Sequence, residues 1–84
     1  MAEEEVGTVS TFFARPVVAG IILTGTIKVG DTLHIVGHTT DLKVTVESMQ
    51  VNNVSVTSAS PGQEVGIKVL DRVRGGDKVF KVTG

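Results

Sequence analysis

Thirty-one of the 84 residues are β-branched: sixteen Val, five Ile and ten Thr. Such side chains are stiff at χ1 and suit a pleated sheet better than a helix. Strong helix formers are scarce, with four Ala and four Leu, while ten Gly and two Pro fall between short apolar runs. That punctuation is the mark of an all-β domain. The pattern predicts strands at Val6–Phe13, Val17–Leu23, Thr32–Val36, Leu42–Met49, Glu64–Leu70 and Lys78–Val82. Leu33/Ile35, Leu42/Val44/Val46 and Val65/Ile67/Val69 each alternate with polar or smaller residues, so each strand has one face to bury. After Val46 the next apolar residues are Met49 and Val51, and this one-residue slip predicts a bulge or sharp bend near Glu47–Ser48. Short strands with edges to hide lead to the expectation of a small closed, six-stranded, antiparallel-rich β-barrel.

At this length there is room for one domain, and roughly 60% of the unfolded surface can be buried. Residues 1–5 are expected to form a flexible acidic N-terminus (Glu3, Glu4, Glu5) and residues 6–84 a single barrel. The absence of cysteine removes disulfides, thiolate metal sites and a Cys nucleophile. No apolar run approaches the roughly 18 residues of a membrane span, and the acidic start is unlike a signal peptide. The expectation is a soluble, cytoplasmic protein without a membrane partner. The net charge is −1, which gives no general attraction for polyanions.

Motifs with chemical content are few. Gly25-Thr26-Ile27-Lys28-Val29-Gly30-Asp31-Thr32 has P-loop spacing, but Asp31 stands where the phosphate-binding Lys belongs and would repel the phosphates. A turn with glycines at positive φ fits better, and no nucleotide is expected. His34, His38 and Asp41 invite a metal, yet His34 falls in a strand and His38 in a turn, without a fourth ligand. Catalysis would need a cleft that a barrel of this size hardly offers. The chain is therefore expected to be no enzyme, with no catalytic residue, no metal and no cofactor. Two surfaces remain. Arg15, Lys43, Lys68, Arg72 and Arg74 are the candidate phosphate contacts for RNA. The adjacent apolar pairs Phe12/Phe13, Val17/Val18 and Ile21/Ile22 send one member of each pair away from the interior. They make Phe12, Phe13, Val17, Ile21 and Ile22 the candidate protein interface.

Three blocks then occur in order. The first is Gly25-Thr26-Ile27-Lys28-Val29-Gly30-Asp31-Thr32-Leu33-His34-Ile35. The second is Ser48-Met49-Gln50 followed by Ser60-Pro61-Gly62-Gln63-Glu64-Val65-Gly66-Ile67-Lys68-Val69. The third is Arg74-Gly75-Gly76-Asp77-Lys78-Val79. Together, from about Val6 to Val82, they resemble the second domain of the translational GTPases, the β-barrel domain of elongation factor Tu and its relatives. The chain has no counterpart of that family's GTPase domain, so the resemblance implies an accessory barrel without nucleotide hydrolysis. It is similar to small translation-factor-like proteins and to barrels appended to other enzymes, including some collagenase-like peptidases. In the GTPases the barrel packs on the catalytic domain and touches tRNA and ribosomal RNA. The resemblance thus implies a non-enzymatic module that binds ribosomal RNA, tRNA or a translation-related protein. The alternative is a protein-interaction module that docks on a separate enzyme, or on itself, through its apolar hairpin.

Overall fold

A computed structural model describes residues 2–14 and 17–83. They form β1 (Ala2–Ala14), β2 (Val17–Leu23), β3 (Ile27–Lys28), β4 (Thr32–Val36), β5 (Asp41–Thr45), β6 (Met49–Val51), β7 (Val54–Val56), β8 (Ser58–Ala59), β9 (Glu64–Lys68) and β10 (Lys78–Thr83). Eight strands make one sheet in the order β5-β4-β10-β1-β2-β9-β6-β7, and β3 and β8 pair separately. Every pairing is antiparallel.

Three expectations are corrected. The expected six strands become ten: the Leu42–Met49 strand divides into β5 and β6, and β3, β7 and β8 have only two or three residues and cannot show a period. The ladder is also not closed: it ends at β5 on one side and β7 on the other. The gap is spanned by β3 and the turn that follows it. Gly30 N donates to Val46 O, Val46 N to Asp31 O, and Val29 N to Thr57 O, while Ile27 and Lys28 pair with Ala59 and Ser58. Patches of short strand thus do the work of a continuous ladder. Finally, Glu3, Glu4 and Glu5, expected outside the domain, lie within β1 and pair with Val82, Lys81 and Phe80 of β10. Two of the three meet basic partners: Lys78 Nζ lies 3.8 Å from Glu5, and His34 lies 2.7 Å from Glu3.

A straight strand of β1's length would run about 40 Å, beyond the longest extent of the domain, 31 Å. The register shifts between Glu5 and Gly7 and between Val9 and Thr11, and such bulges let a strand bend around a core. The slip after Val46 is a corner, with β5 ending at Thr45 and β6 starting at Met49. Val6, Val9, Ile21, Leu33, Ile35, Met49, Val65, Ile67 and Val79, each no more than 1% exposed, belong to a single core that draws on both ends of the sheet.

Three tight turns share one construction. In Lys28–Asp31, Ser60–Gln63 and Arg74–Asp77 the third residue is glycine at positive φ, with Gly30 at 99°, Gly62 at 91° and Gly76 at 95°. In each, the fourth residue's N–H donates to the first carbonyl, at 3.1, 3.2 and 3.1 Å. In each, the fourth side chain accepts from the first N–H: Asp31 at 2.9 Å, Gln63 at 2.8 Å and Asp77 at 2.9 Å. Glycine is required because side chains with a Cβ rarely adopt that φ.

Candidate interaction surface

Cross-strand register decides which apolar residues face outward. Ile21 pairs with Val65 and Val9, and all three are core residues. Its neighbours Gly20 and Ile22 must therefore point outward. Phe13 pairs with Val18 on this same outer face. Phe13 is 57% exposed and Ile22 48% exposed. Of the expected interface residues, Phe13 and Ile22 stand on the surface, while Phe12 and Val17 are half-buried against the core. Ile21 is removed from the interface: it is completely enclosed.

One row of paired residues crosses four strands of this face: Thr11 on β1, Gly20 on β2, Gly66 on β9 and Gln50 on β6. Two adjacent glycines leave the middle of the row without side chains. The result is a depression of about 510 Å³ between Phe13 and Val18 on one side and Glu64 on the other. Its far end is the β6–β7 hairpin turn, where Asn52 and Asn53 have φ of 52° and 65°. Consecutive left-handed residues give the turn whose twist suits a hairpin, and asparagine tolerates that conformation. Ser10, extruded at the second β1 bulge, donates to Glu64 Oε2 at 2.5 Å and lies 3.2 Å from the Gly20 carbonyl. Glu64 is thereby held at the rim. Sequence reading missed this site, although Gly20 and Gly66 inside strand patterns are the signal that could have found it.

The basic candidates are only partly brought together. Lys43 and Lys68 line a second depression, about 330 Å³, between β5 and the end of β9, with Glu47 and the exposed Leu70. Arg72 and Arg74 are exposed on the loop after β9 and do not line it. Arg15 lies outside the described residues.

His34 sits between two carboxylates, with Nδ1 2.7 Å from Glu3 and Nε2 2.5 Å from Asp41. A neutral imidazole has a single N–H and can donate to only one of them. The hydrogen bonds to Asp41 and then Glu3 therefore raise its pKa above 6.5, outweighing the opposing effect of burial. The ring ties β5 and β1 to β4, with both of its nitrogens taken up by carboxylates. Exposed His38 takes no part. No set of three potential ligands that could hold a metal is found among the described residues.

Sheet order and the three glycine turns together define a small antiparallel β-domain of the translation-protein type. Residues 16–79 match the family model for elongation factor Tu domain 2, and the chain belongs to that family. It is also 42% identical over 77 residues to an uncharacterized protease of Methanocaldococcus jannaschii, covering 90% of this chain and 19% of the protease. The chain thus spans about a fifth of that relative's length. Among solved structures, the C-terminal domain of a Geobacillus thermoleovorans protein assigned to the U32 peptidases superposes with a TM-score of 0.88. That match has 18% identity over 95% of this chain and 93% of that one. Its selenomethionine variant gives 0.86, also at 18% identity, over 90% and 96%. At such identity the likeness is one of fold.

Proposed function

We propose that this chain is a non-enzymatic accessory domain that docks on a separate peptidase catalytic domain through the outer face of β1, β2 and β9. The observation that carries the reading is the 42% identity to a segment that makes up 19% of a protease. The exposed Phe13 and Ile22 supply the apolar contact such docking needs. A role at a translation surface, implied by the family resemblance, would rest on Lys43 and Lys68, and these share their depression with Glu47.

Affinity capture of the tagged chain from the cells that make it, at low and at high salt with mass spectrometry of the bound proteins, tests the reading. A peptidase retained at high salt and lost with F13S/I22S, but not with K43A, is the expected result, because burial of apolar surface is not weakened by salt. Ribosomal RNA or ribosomal proteins that are released by salt would overturn it, since phosphate contacts weaken steeply with ionic strength.

A further inference from the structure

The glycine row poses a question that the fold itself does not answer. Gly20 has an internal reason: a Cβ there would lie 2.5 Å from Thr11 Oγ1. Gly66 has none. It is absent from the positive-φ residues, and a Cβ on it would meet only Val18 Cγ1, at 3.4 Å, an ordinary contact. Glycine in a strand interior weakens the strand, and it often marks a place where something outside approaches the backbone. The space that Gly66 leaves open lies at the centre of the groove.

The lining has a definite electrostatic character. Among the described residues, Glu64 is the only ionisable one lining the groove, and no ion pair to it is found among them. Lys68 pairs with Val18 at the opposite end of the groove, four residues from Glu64 along β9, about 13 Å at strand rise. Phe13 supplies an exposed ring, and aromatic faces attract cations. Thr11, Gln50, Asn52 and Asn53 supply hydroxyl and carboxamide oxygens as acceptors. At its Glu64 end the carboxylate suits a cation and repels a phosphate. The row from Thr11 to Gln50 crosses three strand spacings, about 14 Å, the length of roughly four residues of extended chain. A second copy of this chain would bring the same carboxylate and no cation from its own groove.

We propose that this groove receives an arginine or lysine side chain from an extended segment of the docking partner. The backbone of that segment would cross Gly20 and Gly66, with Phe13 and Val18 flanking it on one side and its cation meeting Glu64 on the other. The inference rests on the docking reading above and names the chemistry of the segment that docks.

The test is a two-dimensional amide NMR titration of the full chain with acetyl-Ala-Arg-Ala-amide, with acetyl-Ala-Ala-Ala-amide and acetyl-Ala-Glu-Ala-amide as comparisons. The expected result is saturable shifts concentrated on Thr11, Gly20, Gln50, Glu64 and Gly66. The arginine peptide should bind about tenfold more tightly than the alanine peptide, equivalent to about 1.4 kcal/mol. Glu64→Gln should bring the two peptides within about twofold of each other, while Gly66→Val should abolish the shifts without lowering the melting temperature. Gly66→Ala provides a milder block should the valine variant fail to fold. Equal binding of all three peptides, shifts centred elsewhere, or an arginine preference that survives Glu64→Gln would overturn the assignment. A peptidase complex that forms in the capture experiment without any arginine preference would sink the groove alone. Arginine-selective binding with no peptidase captured would sink the docking reading and keep the groove.

Discussion

Asp77 gives the sharpest test of how the turns hold this domain together. It is 6% exposed, and its Oδ2 accepts the Arg74 N–H at 2.9 Å. The turn it closes is clamped to β1, with Val9 N donating to Asp77 O at 2.8 Å and Gly76 N to Val9 O at 2.7 Å. Its carboxylate also fills the space beside Gly37, where an added Cβ would collide with Oδ1. Asp77→Ala removes a charge-assisted acceptor, leaves a part-buried N–H unpaired and empties that space. Hydrogen bonds to charged groups contribute about 1.5–3 kcal/mol, so a loss of about 2–3 kcal/mol is expected. Asp31 makes the equivalent bond to Lys28 N, also at 2.9 Å, but in an exposed setting. Water can replace it there, and Asp31→Ala should cost about 1 kcal/mol. Urea unfolding reads both: with a slope of about 1 kcal/mol/M for a small domain, the midpoint should fall by about 2–3 M for Asp77→Ala and about 1 M for Asp31→Ala. Asp77→Asn, which keeps an acceptor of the same shape, should fall between wild type and Asp77→Ala. Equal losses from the two alanine variants would refute burial as the deciding factor. An asparagine variant as damaged as the alanine one would refute the Arg74 bond as the cause.

The assignment of inward and outward faces is checked by neighbouring residues: Ile21→Ala should cost about 3 kcal/mol through the cavity it leaves, and Ile22→Ala less than about 1 kcal/mol, both measured by urea unfolding. His34 makes stability depend on pH. Its folded pKa lies above 6.5, so its contribution is fully present below 6.5 and is lost as pH rises through the folded value. Thermal melts should therefore show midpoints falling as pH rises above 6.5, with His34→Gln flattening that decline. Ile67→Ala, at a fully buried position of β9 between β2 and β6, should cost about 3–4 kcal/mol and leave the chain largely unfolded near body temperature.

The legible parts of the sequence are the local ones. β2 and β4 are found at their full bounds, Val17–Leu23 and Thr32–Val36. Their alternation or apolar runs are flanked by turn residues, and nothing distant is needed to see them. The three blocks that carry the family resemblance coincide with the three glycine turns, which explains why they identify a fold so well. What escapes is whatever depends on pairing. Nothing local says that Gly20 faces Gly66 across 46 positions of chain, or that β3 and β8 patch the gap between the ends of the sheet. The acidic run at the N-terminus looks like a tail until β10 lies beside it and His34 and Lys78 meet its charges. The Ile21/Ile22 pair stays ambiguous until Val65 takes Ile21 into the core.

This division bears on where function should be sought. The recurring signature of the family is turn chemistry, spent on Asp31, Gln63 and Asp77 holding backbone N–H groups, so it fixes the scaffold and is silent on the partner. A partner must instead read the outward positions of the strands, which tolerate almost any residue without disturbing the core. Against that freedom, a residue that weakens the strand without serving it is informative. Glycine within a strand costs about 0.5–1 kcal/mol relative to alanine, and at Gly66 neither backbone conformation nor a neighbouring atom requires it. Filling that position should strengthen β9, and the direction of the change in binding then separates a scaffold residue from a contact residue. A more stable domain that still docks would make Gly66 incidental. A more stable domain that no longer docks would place the partner's backbone directly above it.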